Sequence, residues 1–322
     1  MNFTAAICVY NAEQTIKAAV ESVLRQELQA IEFLVVDDGS TDGTVSLIES
    51  FGPRVTLLKQ QHGGVSDARN KVCREARGDF IAFLDSDDIW HPSYLRAHAA
   101  LARQCSDASA FFTGHVNFSG CDGYAWNESI NIEPLEYRTI PASEFIASYN
   151  RCPSPFNSMS FCSIPTELLR KLGTSPFPPE VGGVEDTYLL NVLPNLAPVV
   201  AYTPAPLVAY RISDSSLSAD RLRTMGLIVA AFELLAKRRD DPLVRRTPLK
   251  TFNMAFAAWR RSYARFLLGV GRIFEARSQL WRSVCFPNRF VSVAKSLVLL
   301  LLTYLPGSLH PQWPSRWRQV DC

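Results

Sequence analysis

Several features that would place this chain quickly are missing. None of its eight cysteines (8, 73, 105, 121, 152, 162, 285 and 322) forms a C-x-x-C pair, which argues against a zinc knuckle and a thioredoxin-type motif. Several of them lie in apolar runs, so reduced, mostly structural thiols in a cytoplasmic protein are expected. The amino terminus, M-N-F-T-A-A-I-C-V-Y-N, has no basic region leading into a long apolar segment, and no secretory signal is expected. No G-x-G-x-x-G follows the first apolar run, which argues against a nicotinamide enzyme. Internal repeats and low-complexity segments are absent as well.

What is present fits a globular protein of one or two domains: 322 residues, 47% hydrophobic and 20% charged. The net charge of +2 hides an asymmetry. Residues 1–236 hold 17 Lys and Arg against 27 Asp and Glu, whereas residues 237–322 hold 16 against 4. A basic tail of this kind meets either nucleic acid or an anionic membrane, and its apolar content decides between them.

The amino-terminal part alternates apolar runs with helical patterns. Ala5 to Tyr10, Glu32 to Val36 and Val55 to Lys59 read as strands, and Glu13 to Gln26 and Thr44 to Phe51 as the helices between them. This β-α-β-α-β order predicts a parallel sheet. After a helix from Val65 to about Arg77 comes F-I-A-F-L-D-S-D-D-I-W, Phe80 to Trp90, where a buried strand runs into Asp85, Asp87 and Asp88. Three carboxylates this close repel one another, and a hard divalent cation with oxygen ligands would neutralise them. An exposed acidic turn ahead of a helix would give the same pattern.

Beyond this point Ala108 to Phe118 reads as a strand and Gly120 to Pro134 as a long polar loop. The triplet Asn127-Glu128-Ser129 matches a glycosylation acceptor, which carries no meaning without secretion. Asn157 to Ile164 is a short apolar segment, and Pro165 opens a helix over Thr166 to Leu172. Gly182-Gly183 then sets Glu185 and Asp186 at the mouth of a helix, where carboxylates serve either as caps or as positioned acid-base groups. Pro194 to Tyr210, with four prolines among short apolar pieces, and the serine-rich turn Ser213 to Ser218 are read as the end of the domain.

Taken in order, Y-N, V-V-D-D-G-S-T-D-G-T, G-V-S-D-A-R-N, F-L-D-S-D-D-I-W, G-G-V-E-D and Y-R-I-S resemble the family 2 glycosyltransferases of the GT-A fold over about residues 3–218. The resemblance implies an α/β, Rossmann-like, mainly parallel sheet flanked by helices. It implies a catalytic domain over 1–218, with a nucleotide-binding half at 1–100 and an acceptor-binding half at 101–218. Tyr10 and Asp38 would contact the nucleotide base, with Asn11 and Asp37 beside them and Arg69 assisting. Asp85 and Asp87 stand at the family's D-x-D motif, and Asp87 and Asp88 would face the ribose and a diphosphate-bound Mn²⁺ or Mg²⁺. Which of the three carboxylates touches the ion is left open. Asp186 matches the catalytic base, with Glu185 beside it, and Arg211 would help neutralise the diphosphate.

The remaining residues read as a helical extension over 219–289 and an apolar, basic tail over 290–322. Phe252, Phe256, Trp259, Tyr263 and Phe266 share one helical face with Arg261 and Arg265 near the opposite one, which suits either an interfacial helix or packing onto the catalytic domain. Ile273, Phe274, Leu280 and Trp281 are read as one side of a partner helix. Phe290 to Leu305 is apolar but shorter than the about 20 residues a membrane span needs. Trp313, Arg316, Trp317 and Arg318 follow it.

The whole is read as a metal-dependent, inverting glycosyltransferase. It takes a nucleotide-sugar donor, a UDP-sugar being favoured, and a saccharide or lipid-linked saccharide acceptor. The chain is expected in the cytoplasm, attached peripherally to the inner face of the cell membrane through an anionic surface, with no nucleic-acid partner. A sugar-phosphate nucleotidyltransferase would need a glycine-rich, Lys- or Arg-bearing loop after the first strand, which Y-N-A-E-Q-T does not supply. A non-catalytic nucleotide-sugar-binding module would not need Asp186.

Overall fold

The computed structural model describes residues 1–120, 123–126, 135–150, 156, 158–213, 220–285 and 290–304. Four parallel strands, β1 (Phe3–Val9), β2 (Glu32–Asp37), β3 (Thr56–Lys59) and β4 (Phe80–Asp85), lie in the order β3-β2-β1-β4. Helices α1 (Ile16–Leu24), α2 (Thr44–Glu49) and α3 (Val65–Glu75) fall between them in the chain. Strand β2 is buried along its whole length and β1 nearly so, because helices cover both faces of a parallel sheet. The register pairs Val9 with Asp37 and Cys8 with Asp85, so Tyr10, the Asp37–Asp38 turn and Asp85 emerge along one edge. The chain order reverses between β1 and β4, which is where open α/β sheets take their ligands.

The second half of the sheet is mixed. It comprises β5 (Ile89–Trp90), β6 (Ala108–Phe118), β7 (Arg138–Pro141), β8 (Cys162–Pro165) and β9 (Val199–Arg211). Strand β8 runs antiparallel between β4 and β6, while β9 runs parallel to β6 and antiparallel to β5 and β7. Helices α4 (Tyr94–Gln104), α5 (Ala142–Tyr149), α6 (Thr166–Lys171) and α7 (Glu185–Val192) complete this part.

Most of the stretch 194–210, read from its prolines as short apolar pieces near the end of the domain, is the 13-residue strand β9. Pro204 and Pro206 are accommodated because the β6–β9 register shifts on either side of Gly114. A Cβ on Gly114 would stand 2.4 Å from the Pro204 carbonyl oxygen, so only glycine allows this close approach. The long loop 120–134 and its Asn127 triplet lie mostly outside the described residues.

Helices α8 (Arg221–Lys237), α9 (Pro242–Arg246), α10 (Leu249–Gly269), α11 (Ile273–Cys285) and α12 (Phe290–Leu302) follow. The aromatic face of α10 is core: Phe252 and Phe256 pack on Phe232 of α8 with ring centroids 5.7 and 5.5 Å away. Of the two readings of α10, packing onto the catalytic domain is observed for Phe252 and Phe256, which share a core with Val181, Val184 and Tyr188, while Trp259 and Tyr263 are half-buried at its margin. The side assigned to α11 also divides, with Leu280 buried and Phe274 and Trp281 pointing outward. Among the described residues no helix is long and apolar enough to cross a membrane. Cys8, Cys73, Cys105 and Cys162 are free thiols.

Candidate active site

The first acidic turn, after β2, is held by its own neighbourhood. Asp37 accepts from the backbone N–H of Gly39 (3.2 Å) and Ser40 (3.2 Å), a side-chain-closed turn. Asp38 is 3% exposed. Its Oδ1 accepts from Gln60 Nε2 (2.8 Å) and Gly63 N–H (2.9 Å), and its Oδ2 from Gly64 N–H (2.8 Å); His62 Nδ1 is hydrogen-bonded to the Asp38 carbonyl (3.2 Å) and lies 2.8 Å from Oδ2. Gly39, at φ +81°, lets the 60–62 backbone come close, since a Cβ there would stand 3.1 Å from His62 N. Asn11, at φ +48°, accepts from Thr41 N–H through Oδ1 (2.8 Å), and its own N–H donates to Ser40 Oγ (2.9 Å). Tyr10 leaves its ring 46% exposed.

The second acidic turn, after β4, is arranged differently. Asp85 accepts from Arg69 Nη2 (2.7 Å) and Ser158 Oγ (3.1 Å), and its N–H donates to Ser160 Oγ (2.9 Å). Burial and the neighbouring charge of Asp85 push the Asp87 carboxyl up to about 6. Asp88 is 1% exposed; its Oδ1 accepts from Arg211 N–H (2.9 Å), and its Oδ2 has no hydrogen-bond partner. Burial first, then Asp87 and Asp85, raise its pKa well above the usual carboxylate range. Arg211, at the end of β9, donates from Nε to the Asp87 carbonyl (2.7 Å) and from Nη1 to the Gly120 carbonyl, with its guanidinium 4.4 Å from the Phe118 ring centroid.

Arg69 joins this turn to the carboxyl pair of α7. Buried on α3, it donates to Asp85 from one arm and to Glu185 Oε1 from the other. Against the cost of burial, Glu185 and then Asp85 hold the guanidinium charged, above its ordinary value. Glu185 Oε2 accepts from Gly183 N–H (2.6 Å), so this carboxylate is engaged at both oxygens. Asp186 accepts at Oδ1 from Thr187 N–H (2.6 Å). Burial and the adjacent Glu185 lift its pKa to about 7, with Arg69 pulling the other way.

The predicted residues therefore divide. Asp85, Arg69, Glu185 and Asp186 converge, and Arg211 at the end of β9 is bonded to the turn that carries Asp87 and Asp88. Asn11, Asp37 and Asp38 brace the neighbouring loops with their side chains. Gln60, His62, Ser158 and Ser160 were not singled out from the sequence. The first two lie in Q-Q-H-G-G directly before the G-V-S-D-A-R-N motif, and the serines lie inside a stretch that reads simply as apolar.

Among the described residues no group of three or more His, Cys, Asp or Glu side chains forms a metal cage. The second turn nevertheless suits a hard divalent ion whose other ligands come from a diphosphate and water. It offers an orphaned buried carboxylate oxygen on Asp88 and a carboxyl on Asp87 raised by burial and like charge.

A doubly wound sheet with an acidic turn at its reversal point is the architecture of a nucleotide-dependent enzyme. The profile of glycosyl transferase family 2 matches residues 4–173, and the chain belongs to that family. It is 29% identical over 241 residues to WfgD of Escherichia coli, a UDP-Glc:α-D-GlcNAc-diphosphoundecaprenol β-1,3-glucosyltransferase, covering 73% of this chain and 86% of that one. It is 38% identical over 91 residues to the putative glycosyltransferase EpsH of Bacillus subtilis, a match to 27% of this chain and 26% of that one. S. aureus TarS 1–349 with UDP-GlcNAc superposes at a TM-score of 0.63 and 18% identity, over 100% of this chain and 88% of that one. The mannosyltransferase PcManGT from Pyrobaculum calidifontis, with GDP-Man and Mn²⁺, does so at 0.58 and 18%, over 99% and 84%. At these identities the structures establish the shared fold.

Proposed function

We propose that the chain is an inverting, divalent-metal-dependent glycosyltransferase. It moves a sugar from a nucleoside-diphosphate donor, UDP being favoured, to a hydroxyl of a lipid-linked or growing polysaccharide acceptor. The observation that carries this reading is the Asp85–Arg69–Glu185 bridge, which ties the acidic turn to a helix mouth where Asp186 holds a carboxyl raised to about 7. A base with its pKa near the working pH is effective at taking a hydroxyl proton as attack proceeds. Glu185, occupied by Arg69 and Gly183, positions its neighbour and keeps the local charge balanced.

Asp87 and the Oδ2 of Asp88 would hold Mn²⁺ or Mg²⁺, which when bound offsets the charge that grows on the departing diphosphate. Arg211, fixed beside them by backbone carbonyls, adds a positive charge at the same place. Tyr10 offers a ring face to the base. Direct displacement by the acceptor oxygen, with Asp186 receiving its proton, inverts the anomeric carbon.

The test is incubation of purified protein with Mn²⁺ and a panel of UDP-, GDP- and dTDP-sugars. Donor turnover is expected, and Asp186→Asn is expected to lower it by about 10²- to 10⁴-fold while sparing nucleotide binding. Binding without turnover on any acceptor favours a non-catalytic module instead.

The acceptor class implies work at a membrane surface, and the outer faces of α11 and α12 support peripheral attachment there. Phe274 (83% exposed) and Trp281 (59%) lie opposite the buried Ala276 and Leu280, and Leu301 (68%) and Val298 lie opposite the buried Ser296 and Leu299. Arg277 connects the two faces, donating to Thr303 and covering the Tyr304 ring at 3.9 Å. Arg272 and Arg282, which pair with Glu275 and Glu233, and Lys295 of α12 belong to the strongly basic segment that carries these faces, a combination suited to the anionic cytoplasmic leaflet. Phe274→Ser with Trp281→Ser and Leu301→Ser is expected to release the protein from anionic vesicles; undiminished co-sedimentation contradicts the attachment.

A further inference from the structure

His62 makes two contacts at the edge of the first acidic turn, and together they have the form of a bound base. Its ring stacks on Tyr10, with centroids 4.2 Å apart and planes 26° from parallel. Its Nδ1 lies 3.2 Å from the Asp38 carbonyl oxygen and 2.8 Å from Asp38 Oδ2, and because a carbonyl oxygen only accepts, Nδ1 carries a hydrogen held within Asp38. A uracil or guanine ring likewise has a flat face and an imino N–H. Cytosine and adenine present a lone pair at the corresponding ring nitrogen.

The His62 ring fills the place between the Tyr10 face and Asp38 Oδ2, so an arriving base can reach that oxygen only by exchange. Of the groups around this carboxylate, Gly63 and Gly64 contribute backbone N–H groups fixed at the start of α3, where Gly64 O accepts from Ala68 N–H (3.2 Å). Gln60 is tied down by its own backbone bond to the Asp37 carbonyl (3.0 Å). The His62 side chain is 58% exposed, and turning it into solvent gives up only its stacking on Tyr10 and its contacts with Asp38.

We propose that His62 is an internal stand-in for the nucleotide base, seated on Tyr10 and Asp38 in the free protein and displaced by a base that carries an imino N–H. The inference rests on the reading of Tyr10 and Asp38 as the base subsite. His62 keeps the buried Asp38 carboxylate satisfied until the donor arrives, and the donor's affinity is lowered by the fraction of molecules in which the seat is filled. A base without that N–H displaces His62 and leaves Asp38 Oδ2 short of a donor, which discriminates against it.

The experiment is calorimetric titration of the full chain with UDP and with CDP in the presence of Mn²⁺, in the wild type, His62→Ala and Tyr10→Ala. His62→Ala is expected to bind UDP about three- to tenfold more tightly, and wild type to prefer UDP over CDP by about tenfold. Tyr10→Ala is expected to weaken UDP. If Tyr10→Ala weakens UDP while His62→Ala weakens it too or leaves it unchanged, His62 is a wall of the pocket or a bystander and the stand-in is overturned. If Tyr10→Ala leaves UDP binding unchanged, the base-subsite reading itself fails, and the proposal with it. Equal affinity for UDP and CDP overturns the selection by N–H.

Discussion

The two acidic turns at the carboxyl edge of the sheet are alike in sequence and opposite in construction. Asp37 and Asp38 are both buried, and their carboxylates are supplied with donors by Gly39, Ser40, Gln60, Gly63 and Gly64, with His62 Nδ1 2.8 Å from Asp38 Oδ2. Asp87 and Asp88 are crowded by like charge, and Asp88 keeps one buried oxygen unpaired. A run of aspartates after a buried strand therefore does not define a role by itself. The supply of donors does: the first turn is complete as folded, whereas the second gains stability from whatever positive charge it binds.

Substitutions sharpen this contrast. The largest effect is expected at the second turn, where Asp87→Ala should cut Mn²⁺-supported transfer by about 10²- to 10³-fold in initial-rate assays. Next comes Asp38→Asn, which turns an accepting oxygen into a donor facing fixed N–H groups and should cost about 2–4 kcal/mol in urea unfolding. Asp88→Asn should act in the opposite direction on the metal-free chain, relieving repulsion and raising its melting temperature by about 2 °C. If both asparagine variants destabilise alike, the distinction between the turns is lost.

The smallest effect is a pH dependence. Between the ordinary aspartate pKa near 4 and the raised value of about 7, Asp186 stays protonated in the folded chain and ionised in the unfolded one. The folded state then binds more protons, so the contribution of Asp186 to stability is full below about pH 4 and is lost as pH rises toward 7. Activity runs the other way, because only the ionised form accepts a proton, and kcat/KM should climb through about pH 7. Asp186→Asn should flatten the stability slope in that window; an unchanged slope would place its cause elsewhere.

Much of this was legible in the sequence. The period and apolar runs mark β1, β2, β4 and β6, with β6 falling on the expected 108–118, and the glycine pair before Glu185 does open a helix. Strand β9 was hidden because its prolines read as breaks, and they are tolerated only through the register shift at Gly114. The outward or inward sense of the aromatic residues on α10 and α11 depends on which neighbour each helix packs against, which periodicity does not specify. The difference between the two acidic turns was invisible for a related reason: many of the donors are backbone N–H groups, and Ser158 is 73 residues from the Asp85 it serves.

The most direct measurement is the thermal shift caused by Mn²⁺ and UDP together in the wild type and in Asp88→Asn. A stabilisation of about 2.7 kcal/mol is expected in the wild type at a ligand concentration one hundred times Kd, largely lost in the variant. An equal shift in both proteins would mean that the second acidic turn is not where the ion and the diphosphate are held.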